Sequence, residues 1–370
     1  MVKVTVTNPH KQEIGAKLVE IPIKTLPATL RTGNLSVSDG EGKQVVSQLT
    51  HDSLLLFKAD VKPGKKAVFK IAAASVAPTF ESTTSGRLYE KRRDDISYEN
   101  EVVGFRIYGP GTQEAGEKAY GYDIFFKHPT TELIVPLLYA PETDDAVWAK
   151  VDSLRKISPA MADSFINTFS YHIDHGLGMD CYAVGSTLGA GVAALATSDT
   201  IYYPWCYDSA EILDNGPLRF TLQLNFAPVA IGNDREVTEH RLISLDSESH
   251  LNKTAVWYDG LSVPMEILAG FPLRDASNPA IDPLKRYIAY SDPTQGPDNG
   301  RAMLGIVVEE PAQEIVNRDN HILVKKPYHP SDRFNYYWGF AWDRADIDNF
   351  GDWENYLKHF PLEYKVKITK

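Results

Sequence analysis

The chain has 370 residues, of which 43% are hydrophobic, 11% aromatic and 24% charged, with 23 Pro and 25 Gly. That composition excludes a disordered chain and a coiled coil, and a mean hydropathy of −0.28 with no run near ~20 apolar residues excludes a membrane-spanning helix. The formal charge of −11 argues against a nucleic-acid partner, which draws on clustered Lys and Arg.

Residues 2–7 alternate apolar and polar side chains with period two, the pattern of a half-buried strand. So abrupt a start, with no charged-then-apolar leader, points to a removed signal peptide and a periplasmic or secreted protein. Similar runs follow at 17–23, 45–50, 53–61 and 67–72, punctuated by the turn dipeptides Asp39-Gly40 and Pro63-Gly64. These short strands make a small N-terminal β-sandwich over residues 1–78. Residues 75–86 are polar, aperiodic and Pro-containing, and read as its linker. Beyond it, strand patterns recur at 102–108, 122–126, 192–196, 218–226, 239–245, 251–258 and 301–308. Only 145–157 and 352–360 carry the helical period. The expected fold is all-β: a large antiparallel supersandwich over residues 79–370, with few short helices.

The acidic run from Arg92 to Glu101 is the first candidate for chemistry. Asp95, Ser97 and Glu99 share one face of any strand there, and Arg93 and Asp94 precede them. Such carboxylates serve as acid and base, as a calcium shell, or as plain surface ion pairs. No EF-hand spacing supports calcium, which stays an option and not a requirement; no other cofactor is called for.

The run from Tyr171 to Tyr182 is the densest cluster. It holds His172, Asp174, His175 and Asp180 between two tyrosines, broken by Gly176 and Gly178. Imidazole beside carboxylate is what a general base near neutral pH requires. His, Asp and Tyr together also suit uronate β-elimination. The plainer reading is a polar loop that satisfies itself. Arg219 could clamp a substrate carboxylate bidentately, or pair with an acid on the sheet; Glu239 and Arg241 stand on another strand. The aromatic run around Tyr336 and Trp338 offers rings for sugar stacking, or packs as sheet core. Cys181 and Cys206 read as buried free thiols, with a disulfide as the alternative. No P-loop, dinucleotide fingerprint, serine-hydrolase elbow or zincin motif is present.

The run from Arg93 to Glu101 with Phe105 to Pro110, the run from Tyr171 to Gly189, Asp214 to Arg219, and Glu239 to Asp246 together resemble the bacterial family called domain of unknown function 4861. The resemblance covers nearly the whole chain. It implies an exported protein of polysaccharide-degrading Bacteroidota, encoded beside polysaccharide lyases and glycosidases, with a galactose-mutarotase-like supersandwich. It carries no catalytic set to transfer.

The residues and the resemblance lead to one expectation: a carbohydrate-active enzyme on an acidic, uronate-containing glycan, working by β-elimination. His172 or His175 would be the base and Tyr171 or Tyr182 the acid. Asp174 or Asp180 would orient the imidazole. Arg93, Asp94, Asp95, Glu99, Arg219, Glu239, Tyr336 and Trp338 would hold substrate. Glycoside hydrolysis or mutarotation by paired carboxylates is the enzymatic rival, and a non-catalytic sugar-binding protein is the rival from another class.

Overall fold

The computed structural model describes residues 1–275 and 279–369. Strands make up 43% of it, all in antiparallel sheets, with five short helices among the described residues. The all-β expectation holds. The helix Asp145–Ile157 has the predicted bounds and Phe350–His359 lies within two residues of them, whereas Pro110–Glu114, Val135–Glu142 and Pro159–Ile166 carry no clear apolar period.

Two sheets form the N-terminal sandwich. One has the order Lys365–Thr369, Val2–Thr7, Lys66–Ala74, Asn34–Ser38, Gln44–Val45; the other joins Leu18–Pro22, Leu54–Lys58 and Ser47–Leu49. Their inner faces meet in a core of Val4, Val6, Val19, Ile21, Leu55, Phe57 and Ile71. The sandwich borrows its edge from the far end of the chain: Lys365–Thr369 pairs with Val2–Thr7 from Lys3↔Thr369 to Thr7↔Lys365. The expected boundary at residue 79 assigned this strand to the second unit; it belongs to the sheet of the first.

The larger part is built of three sheets. A nine-stranded sheet runs from Tyr207–Asn215 through Arg219–Phe226, Asp234–Asp246, Leu251–Asp259, Phe334–Trp342, Arg301–Val308 and Tyr287–Pro293 to Ala280–Ile281, with Val229–Ile231 paired beside it. A four-stranded sheet holds Ala193–Ala196, Met265–Pro272, His321–Tyr328 and Glu314–Arg318. A five-stranded sheet has the order Gly178–Met179, Asp123–Lys127, Gly104–Ile107, Asp95–Glu99, Ser85–Tyr89. Strand alternation sends Ile96, Tyr98, Phe105, Tyr122, Ile124 and Phe126 into one continuous core with Phe220, Leu222, Leu304, Trp338 and Phe340. Tyr122 stacks on Trp338 with ring centroids 4.0 Å apart.

The opposite face of the five-stranded sheet carries Asp95, Ser97, Glu99, Arg106, Asp123 and Lys127, and the chain from Ile134 to Tyr171 folds over it. Ile134, Val135, Leu138, Tyr139 and Tyr171 pack there on Phe125 and Tyr89 in a separate small core. A polar layer is thereby trapped between sheet and helix.

Candidate active site

Register assembles the site. Arg106 lies opposite Ser97 on one neighbouring strand and opposite Asp123 on the other, so all three stand on the same face as Asp95. The short strand Gly178–Met179 pairs with Phe126 and Lys127 and brings in Asp180. Gly178 has φ +133° and lies so close to the Phe126 backbone that a Cβ would collide with it, so only glycine lets this loop dock.

Arg106 is the hub. Its Nε and Nη2 lie 2.8 and 2.6 Å from Asp95 Oδ2. Its Nη1 lies 3.5 Å from Asp123 Oδ2 and 3.9 Å from Asp180 Oδ2. Those two oxygens are therefore no more than 7.4 Å apart, the sum of the two distances. Asp95 also accepts from the Gly109 N–H at 3.0 Å, so its work is to fix the guanidinium. Tyr108 donates its hydroxyl to Asp123 Oδ2 at 2.7 Å.

Burial pushes Asp123 up to about 8, and the Asp180 charge beside it pushes the same way. Burial raises Asp180 to about 6 against the pull of Arg106. Two carboxyls on one guanidinium lose their protons as a pair. Near neutral pH the pair thus keeps about one proton between its two carboxyls.

His172 completes the group. Its Nδ1 is 2.8 Å from the main-chain oxygen of Asp180. A carbonyl only accepts, so Nδ1 carries the hydrogen and Nε2 of the neutral ring is left with its lone pair. The ring itself is exposed. Beneath it, Tyr171 is buried and its hydroxyl accepts from Arg92 Nη2 at 2.7 Å, with Arg92 Nη1 3.8 Å from Glu142. The two sequence clusters therefore meet: Asp95 and Asp180 share Arg106, and Arg92 reaches Tyr171.

Several expected residues stand elsewhere or do other work. Glu99 is buried and accepts from Lys127 Nζ at 2.8 Å and from the Ile134 and Val135 N–H groups at 3.0 and 2.9 Å, which fastens the helix Val135–Glu142 to the sheet. Asp174 does not orient His172. It bonds His128 Nε2 at 2.9 Å and the Gly176 and Gly178 N–H groups at 2.8 and 3.1 Å, shaping the loop. His175 is exposed at its tip. Tyr182 is buried beneath the Arg274 guanidinium, 4.8 Å from its ring, and no substrate reaches it.

Arg93 and Asp94 form a left-handed turn at φ 61° and 63°. Arg93 pairs with exposed Glu117, and the Asp94 carbonyl accepts from Tyr207. Arg219 is already clamped, 2.6 and 2.8 Å from the two Asp246 oxygens and 2.5 Å from Glu20, so the plainer ion-pair reading applies to it. It lines a different hollow, of about 300 Å³, between the N-terminal sandwich and the large sheet. Glu239 is spent on Arg241 inside the main core. Tyr336 and Trp338 are 0% exposed, so their faces take no sugar. Both flanks of their strand are covered, which is why its aromatic run is nearly continuous.

The calcium option on the acidic strand meets carboxylates that are already engaged, by Arg106, by Lys127 and, for Glu101, by Ser247 at 2.5 Å. Among the described residues no group of three or more His, Cys, Asp or Glu is placed to hold a metal ion. Cys181 and Cys206 are buried free thiols. Sequence reasoning did not pick out Arg106, Tyr108 or Asp123, although each occupies a strand or motif run it had found.

A family model described as domain of unknown function (DUF4861) matches residues 6–369. The chain belongs to this family. This DUF4861 chain is 25% identical over 335 residues to a Formosa agariphila protein named "Uncharacterized protein P7", the match covering 85% of the chain and 78% of that protein. Among solved structures it is similar to a glycosyl hydrolase family 38 protein from Enterococcus faecalis, with TM-score 0.51, 11% identity and all of this chain against 47% of the other. An α-mannosidase from Enterococcus faecalis V583 gives TM-score 0.48 at 10% identity, all of this chain against 46%. The chain thus spans about half the length of the solved structures it matches, and at such identity the likeness is one of fold. No helix of the DUF4861 chain is long and apolar enough to cross a membrane.

Proposed function

We propose that this protein is a carbohydrate-active enzyme that cleaves a uronate-containing glycan by β-elimination at the Arg106 centre. The observation that carries this reading is His172: an exposed imidazole whose Nδ1 is tied to the Asp180 main chain, so that Nε2 is held ready as a base. The half-buried Tyr108, already bonded to Asp123, supplies the acid. Neither Tyr171 nor Tyr182 is exposed enough for that task.

In this scheme His172 Nε2 removes the proton on the carbon next to the uronate carboxylate. The C–H electron pair becomes the new ring double bond, the bond from the β-carbon to the glycosidic oxygen breaks, and Tyr108 protonates the departing oxygen. The Asp123–Asp180 pair, which keeps one proton near neutral pH, returns it to Tyr108 through the Asp123 oxygen bonded to the phenol. Arg106 offsets the charge that accumulates on the substrate carboxylate.

A second reading has one observation in its favour. Asp123 and Asp180 are raised carboxyls at most 7.4 Å apart, the ingredients of hydrolysis by an acid and a base. Both are deeply buried, whereas His172 and Tyr108 reach solvent, which favours elimination.

Incubation with defined uronate oligosaccharides separates the two. Elimination gives an ultraviolet-absorbing unsaturated product lighter by one water than the hydrolysis product. His172→Ala is expected to lose about 10²- to 10⁴-fold in turnover with its fold intact. Reducing ends without the unsaturated product would replace this reading by hydrolysis, and full activity in His172→Ala would end it.

A further inference from the structure

Of the six tryptophans, Trp338, Trp342 and Trp353 are buried, and each donates its indole N–H to an internal partner. Trp148 is half-buried and donates to the Glu142 carbonyl. Trp257 is covered by His240, stacked at 5.2 Å, and by Arg333 at 4.1 Å. Trp205 differs from all of them. It is 51% exposed, and among the described residues its indole N–H has no partner.

Trp205 does not stand alone. Tyr120 is 6.5 Å from it and 5.6 Å from Tyr203, centroid to centroid, with the planes inclined by 46° and 37°. Both tyrosines are half-buried. The three rings make a curved aromatic patch rather than a flat stack.

The patch is held firmly. Pro204 and Cys206 on either side of Trp205 are buried, and the Tyr202 and Tyr203 N–H groups bond the Leu195 and Ile201 carbonyls at 2.9 and 3.2 Å. Tyr207, two residues on, donates to the Asp94 carbonyl, and the exposed Arg93–Glu117 pair ties that turn to the segment that leads to Tyr120. Tyr120 lies three residues before Asp123, about 10 Å of extended chain. The patch is thus joined by backbone to the candidate active site.

We infer that Tyr120, Tyr203 and Trp205 form a platform that binds the chain of a polysaccharide substrate away from the bond being broken. This rests on the carbohydrate reading proposed above and deepens it. A pyranose ring presents an apolar C–H face and a rim of hydroxyls. Aromatic rings suit both: a π face meets the former, and a polar tip, an indole N–H or a phenol, meets the latter. Inclined rings suit successive units of a twisted chain. The stacking role expected of Tyr336 and Trp338 thereby passes to residues that no sequence pattern singles out.

Affinity electrophoresis in gels cast with alginate, polygalacturonate or hyaluronan tests this. Wild type is expected to be retarded by at least one of them. Trp205→Ala and Tyr120→Ala should bind roughly 3- to 10-fold more weakly, Trp205→Phe should fall between, and His172→Ala should bind as wild type does. Circular dichroism confirms that the Trp205 variants, altered at an exposed ring, stay folded. Wild type unretarded by all three polymers, or Trp205→Ala retarded as strongly as wild type, would overturn the platform. Binding that depends on Trp205 with no turnover of any polymer would leave the platform standing and remove the proposed catalysis. Turnover with the KM for polymer unchanged in Trp205→Ala would do the reverse.

Discussion

Asp123 shows how a single carboxyl can be read in two independent ways. Its value in the folded chain is raised above that of an unfolded aspartate, by burial first and by Asp180 second. A raised group adds stability that is complete below the unfolded value near 4 and is lost as pH rises through about 8. Asparagine cannot ionise. Urea unfolding of Asp123→Asn should therefore show it gaining on wild type by on the order of 1 kcal/mol or more between about pH 5 and about pH 9. A constant difference across that range would contradict the assignment. The same residue shows what the sequence hides. The period of two placed Asp95, Ser97 and Glu99 on one face, and they are there. The partners of Asp95 and Glu99, namely Arg106 and Lys127, are, like Asp123, single charges in strands that otherwise read as core, so nothing in one strand's pattern announces the charge on the next. Only the register pairs them. What a sequence displays is the acid; what it conceals is the base that neutralises it, as with Lys127 beneath Glu99.

At the scale of elements, the strand Arg301–Val308 and the helix Phe350–His359 depend on a row of missing side chains. Cross-strand register lines up Ala289, Gly305 and Gly339, a smooth seat on the outer face of the large sheet. The helix sets Trp353 and Leu357 over it, and the Trp353 indole donates to the Leu304 carbonyl at 3.0 Å. A Cβ at Gly305 would lie 2.7 Å from both side chains. Gly305→Val should therefore lift the helix and cost about 1–3 kcal/mol by urea unfolding, with loss of near-ultraviolet circular dichroism from Trp353. Wild-type stability in this variant would mean that the helix adapts. The helical period of Trp353, Tyr356, Leu357 and Phe360 was legible because one face is buried and the other is wet. The helix Val135–Glu142 was not, because it begins and ends on Pro-bearing turns and is anchored by the Glu99 carboxylate as much as by an apolar stripe. The strand Phe334–Trp342 misled for a related reason: Tyr336, Trp338 and Phe340 enter the main core, so the rings expected to stack on sugar were not free for a ligand.

For the whole molecule, the pairing of Lys365–Thr369 with Val2–Thr7 matters most. Deleting residues 365–369 uncovers the edge of an otherwise complete sheet, with a row of unpaired backbone groups. The truncated protein should show a lower melting temperature and concentration-dependent dimers by size-exclusion chromatography; a monomer of unchanged stability would show that the edge needs no cover. Turn spacing and a polar linker led the sequence reading to two units, but this contact was not legible, since pairing over some 360 residues leaves no local trace. It also has a bearing on biosynthesis. The sandwich stays one strand short while the roughly 360 residues between these two strands are made, so chains under synthesis must shield its bare margin from one another in the meantime.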